Sequence, residues 1–158
     1  MHDPIADPST RMVGRPDAWQ FIRRYVATWG DALGADDGCP GHELDEVERR
    51  LGLTLPLAVR EGYRLLGRRP DLTNLQDELL APQRLRVEDD HVLVYRVENQ
   101  GCAVWGVDLT DPAGDDPPGW FTGPDVLLCD HSRTWLWVKA RTAAAIDKVR
   151  HMIRANGS

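Results

Sequence analysis

Cysteine is scarce in this chain. Its three copies, Cys39, Cys102 and Cys129, cannot all pair with one another, which argues against a disulfide framework as the basis of stability. No secretory leader is legible: Met1 is followed by His2, Asp3 and Pro4, with neither a basic region nor an apolar run behind them. Both features point to reduced thiols and a cytoplasmic location. No apolar stretch approaches the ~18 residues that would suggest a membrane span. Lysine is rarer still, since all but Lys139 and Lys148 of the 19 basic residues are arginine. The 25 acidic residues outnumber the basic ones and leave a net charge of −6. That balance disfavours a nucleic-acid partner, because phosphate repels it.

Signatures of common chemistries are missing as well. There is no Gly-x-Ser-x-Gly elbow, phosphate loop or dinucleotide fingerprint. His42-Glu43-Leu44-Asp45-Glu46 begins like a zinc-protease helix, but Glu46 stands where the second histidine is required. The Pro-Cys-x-x-Cys of zinc deaminases is absent. Asp130, His131 and Ser132 are adjacent in sequence, and neighbours on an extended chain point apart, so they do not make a triad. One metal-like spacing remains. Cys39 with His42 and Cys129 with His131 would supply a tetrahedral zinc set if their loops met. Neither pair carries a paired-cysteine signature, so the reading assigns no metal or cofactor and keeps a small zinc-dependent hydrolase as an alternative.

What the 158 residues do contain is an ordinary globular balance, 42% hydrophobic and 28% charged. That length suits one domain. Residues Met1 to Arg15 are polar, carry Pro4 and Pro8, and read as a flexible tail. The remainder, 16–156, reads as one domain. Asp17 and Gln20 resemble a capping box ahead of Ala18, Ile22, Tyr25 and Trp29 at helical spacing, with Gly30 as the stop. A second helix spans Glu43 to Leu51 with Leu44, Val47 and Leu51 on one face, and Gly52 ends it. A third starts at Pro56 with Val59, Tyr63 and Leu66 inward and Gly67 as its end. Gly62 within it costs up to ~1 kcal/mol against alanine, which suggests close packing there. The period then changes. Leu85 to Val87, Val92 to Glu98 and Cys102 to Val107 read as strands, the last two joined through Asn99-Gln100-Gly101. Trp120-Phe121 and Thr134 to Val138 read as further strands, and Thr142 caps a last helix with Ile146, Val149 and Ile153 inward.

Two ordered sets of residues resemble the SMI1/KNR4 (SUKH) family. The first runs from Leu44 through Glu48 and Leu51-Gly52 to Leu55-Pro56, followed by Tyr63 and Gly67. The second is Glu98-Asn99-Gln100-Gly101, then Trp105-Gly106-Val107, then Asp116-Pro117-Pro118. The resemblance covers residues 44–118. It implies an α+β fold, a mainly antiparallel sheet packed against helices, and it implies no catalytic residues. Many bacterial members of that family are immunity proteins that bind and neutralise a toxin, often a nuclease or deaminase. Fungal relatives are regulatory interaction proteins. A regulatory or housekeeping module without a toxin partner is therefore the other binding reading. The motif residues also have physical readings: Glu48 can hold backbone near the Leu55-Pro56 turn, Asn99 suits left-handed backbone, Trp105 reads as core, and Pro117-Pro118 ends strand pairing.

Charge is distributed unevenly along the chain. Val97 to Ser132 contains no Lys or Arg but carries Glu98, Asp108, Asp111, Asp115, Asp116, Asp125 and Asp130. Arg49 to Arg69 carries six arginines. The expectation is an acidic β half and a basic helical hairpin. An acidic face steers a basic protein, so Gln100, Asp108, Asp111, Asp115 and Asp116 are the expected partner contacts.

Overall fold

The computed structural model describes residues 15–74, 77–112, 114–117, 119–123 and 134–138. Expectations for residues 1–14, Pro118, Asp125, Cys129, Asp130, His131 and the C-terminal helix lie outside these. The fold is α+β, with its described helices in the N-terminal part and an antiparallel sheet after them.

Helix α1 spans Arg15–Trp29 and ends as anticipated at Gly30, whose N–H reaches the Val26 carbonyl. Helix α2 spans Gly41–Leu51 and closes on Gly52 in the left-handed conformation. Helix α3 spans Leu57–Leu66, with Pro56 just before it. A further single turn, α4, covers Pro70–Thr73. Among the described residues no helix is long and apolar enough to cross a membrane.

The strands are β1 (Asp77–Leu79), β2 (Arg86–Glu88), β3 (Val92–Glu98), β4 (Val104–Asp108), β5 (Gly119–Gly123) and β6 (Thr134–Val138). The sheet order is β1-β3-β4-β5-β6, and β2 shares the outer edge of β3 with β1. Strand β2 pairs with Val92 to Val94, and β1 with Arg96 to Glu98. Strand β1 was not anticipated: Asp77-Glu78-Leu79 has no β-branched residue, and its pairing is set by β3.

Two apolar clusters hold these layers. The larger joins Leu44, Val47, Leu55 and Tyr63 of the helical region to Leu80, Leu85, Val92, Leu93, Val94 and Val107. Val92, Leu93 and Val94 are consecutive and fully buried, and successive strand residues point to opposite faces. Both faces of β3 are therefore covered at its centre. The smaller cluster seats Ala18, Ile22, Tyr25 and Val26 of α1 against Leu65, Leu66 and Leu72. Trp19 lies over Gly62, where an added methyl would sit 3.3 Å from the indole ring. Close packing does explain that helical glycine. Glu61 ties α1 down by accepting the Trp19 indole N–H at 2.6 Å and pairing with Arg15 at 3.1 Å.

Arg96 is the one charged residue buried among the described core, at 8% exposure. Its guanidinium donates to the main-chain carbonyls of Thr73 (2.7 Å) and Asp77 (3.2 Å), bracing α4 and β1 against β3. Burial lowers its pKa.

Candidate docking surface

The hairpin geometry divides the expected partner contacts between two ends of the sheet. Strands β3 and β4 pair from Val92↔Asp108 to Val97↔Val104. Asp108 therefore leaves the sheet beside the start of β3, while Gln100 sits in the loop beyond its end. Seven residues of strand separate those ends by roughly 20 Å at ~3.3 Å per residue. Gln100 does not join Asp108, Asp111, Asp115 and Asp116 in one site.

The Gln100 end is built to hold a turn. The Glu98 carboxylate accepts the N–H groups of Gln100 (2.9 Å) and Cys102 (3.3 Å), and the Glu98 carbonyl accepts that of Gly101 (2.8 Å). Gly101 takes the left-handed conformation, φ 74°. Asn99, expected to adopt it, does not: among the described non-glycine residues only Asp89 and Asp90 have positive φ.

The opposite end gathers carboxylates from two connections, the β2–β3 turn and the β4–β5 loop. Asp89 and Asp90 open the three-residue turn between β2 and β3, both left-handed at φ 51° and 64°. Asp108 ends β4 next to that turn, because the Leu109 N–H donates to the His91 carbonyl at 2.8 Å. Asp111 and Asp115 follow in a loop pinned to α3, where the Ala58 N–H donates to the Asp115 carbonyl at 2.8 Å. Asp115 is exposed, Asp116 half-buried and Pro117 buried. One Asp108 oxygen accepts both the N–H and the hydroxyl of Thr110, at 2.8 and 2.7 Å, which fixes its carboxylate. Asp89, Asp90, Asp108 and Asp115 form no ion pair with any arginine of the described residues. Arg86, on the neighbouring strand, pairs with Glu88 at 2.9 Å.

Asp89 and Asp90 were not among the expected contacts. The signal was present: three residues, Asp89, Asp90 and His91, separate Val87-Glu88 from the run that starts at Val92, a spacing that favours a tight turn with a left-handed residue.

The helical half contradicts the expectation of a basic face. Arg60 pairs with Asp45 (2.5 Å) and Glu48 (3.3 Å), Arg68 with Glu43 (2.5 Å), and Arg69 with Asp37 (3.1 Å) and Asp71 (2.8 Å). Arg49 pairs with Glu46 one turn away. Arg50 donates to the carbonyls of Pro82 and Leu85. Among the described residues, Arg64 of the six arginines has no such partner. Asp37 is held below the usual carboxylate range by the Gly34 N–H on its oxygen and by Arg69, and Arg69 does the same to Asp71.

The remaining motif residues are structural in their contacts. Glu48 accepts the Leu55 N–H at 2.9 Å, the backbone role read for it, and so holds the buried Leu55-Pro56 entry into α3. Tyr63 is buried and donates its hydroxyl to the Leu80 carbonyl at 2.7 Å, tying α3 to the sheet edge. Burial raises its pKa well above the ordinary phenol value. At Gly67 a side chain would stand 2.7 Å from the Cys39 sulfur and 2.5 Å from the Tyr63 carbonyl, so close approach explains that glycine. Gly106 is buried on β4 beside Val94. Trp105, read as core, is half-buried.

Cys39 is 4% exposed in the larger cluster, and desolvation raises its thiol pKa. His42, in the first turn of α2, is exposed. Among the described residues no three His, Cys, Asp or Glu side chains gather as a metal site. No family model, curated protein or solved structure matches the chain.

Proposed function

We propose that this chain is a non-enzymatic protein-binding domain of the SMI1/KNR4 type, working in the cytoplasm as an immunity protein. It occludes a basic toxin domain, of nuclease or deaminase type, with the carboxylates at the Asp89–Asp115 end of its sheet. The observation that carries this reading is the placement of Asp89, Asp90, Asp108 and Asp115 at one end of the sheet with no arginine of the described residues pairing them. A nuclease surface that holds phosphate is basic, and complementary charge both speeds encounter and disfavours wrong partners. The loop carrying Asp115 is already pinned to α3 and the Asp108 carboxylate is already oriented. Less ordering entropy is then lost on binding. The ordered motif residues from Leu44 to Pro117 support the family reading.

The test is a pull-down from the native host with two baits, the wild-type chain and Asp89→Arg/Asp90→Arg/Asp115→Arg. The expected result is a basic toxin domain captured by the wild type alone, with its activity blocked by the wild type alone. Equal capture by both baits would overturn the acidic docking surface. A captured partner with no toxic activity would point to a regulatory module. One zinc per chain, measured on the same sample, would redirect attention to Cys39 and His42.

A further inference from the structure

We draw no further inference here: the strongest candidate, the N-terminus of α2 at Gly41 with the Arg60 and Arg64 guanidiniums beside it, is a helix end flanked by one ion-paired and one exposed arginine, and no second observation there points to a ligand.

Discussion

The helical half and the acidic end of the sheet hold their charge in opposite ways. On the helices six of the nine arginines from Arg15 to Arg69 meet a carboxylate or a main-chain carbonyl, among them Arg60 with Asp45 and Glu48, Arg69 with Asp37 and Asp71, and Arg50 with Pro82 and Leu85. At the end of the sheet, turns and a pinned loop present Asp89, Asp90, Asp108 and Asp115 with no such compensation from the described residues. Opposite charges drawn together are spent on the fold. Like charges held together are a cost to the fold that a basic partner relieves, so the two regions should respond oppositely to mutation.

The largest expected effect tests that opposition at the acidic end. Asp89→Arg, Asp90→Arg and Asp115→Arg together should slow association with the captured partner by at least 10-fold, given that steering contributes factors of about 10–10³. The change at Asp115 should move stability by no more than about 0.5 kcal/mol, while arginine in the left-handed backbone of Asp89 and Asp90 costs on the order of 1 kcal/mol at each. Stopped-flow mixing and urea unfolding of the same protein read the two quantities separately. A large loss of stability with an unchanged rate would reverse the roles given to the two regions.

The mirror experiment is Glu48→Ala. It strips the Leu55 N–H of its acceptor and removes one partner of Arg60, and an unsatisfied part-buried donor costs about 1–3 kcal/mol. Urea unfolding should show that loss while the association rate stays at the wild-type value. Tyr63→Phe belongs beside it: the Leu80 carbonyl loses its 2.7 Å donor, at a cost of about 1–3 kcal/mol.

How far these contrasts were legible in the sequence follows from what each rests on. Local patterns were readable. Leu44, Val47 and Leu51 marked α2, the β-rich run marked β3 with its bounds at Val92 and Glu98, and Thr134 to Val138 marked β6. Glu48 and Gly62 were readable because each had one unusual feature to explain, a carboxylate before a Leu-Pro turn and a glycine inside a helix. Long-range pairing was not. The run of arginines from Arg49 to Arg69 looked basic because its partners Asp37, Glu43, Asp45 and Asp71 fall outside that window or on a neighbouring helix. Gln100 and Asp108 looked close because eight positions separate them, but a hairpin sends its loop and its open end to opposite ends of the sheet. Asp89 and Asp90 escaped notice because they lie before the arginine-free stretch, and only β2 pairing beside β3 brings their turn to Asp108.

A smaller effect should appear at that turn. Two consecutive aspartates in left-handed backbone are strained, and Asn-Gly is the favoured occupant. Asp89→Asn/Asp90→Gly should raise stability by up to about 1 kcal/mol and slow partner association in the same protein. A stabilised variant that binds at the native rate would show that these carboxylates serve no partner.

The smallest effect is the pH response of the helical half. Asp37 and Asp71 are held below their ordinary pKa in the fold. A carboxylate with a depressed folded pKa binds its proton more weakly folded than unfolded, so its contribution is present at neutral pH and is lost as pH falls through the depressed value. Urea midpoints measured between pH 5 and pH 2 (about the span in which such carboxylates titrate) should fall less steeply for Asp37→Asn/Asp71→Asn than for the wild type. Parallel curves would mean that these pairs contribute nothing to folding.

The most direct test of the central claim is the salt dependence of association with the captured basic partner, measured from low to high ionic strength. Exposed charges are screened within about 10 Å at 0.1 M salt, so the wild-type rate should fall steeply as salt rises. The slope should flatten for Asp89→Arg/Asp90→Arg/Asp115→Arg and stay unchanged for Arg49→Gln/Arg64→Gln on the helices. A steep slope that survives the aspartate changes and vanishes with the arginine changes would contradict the account.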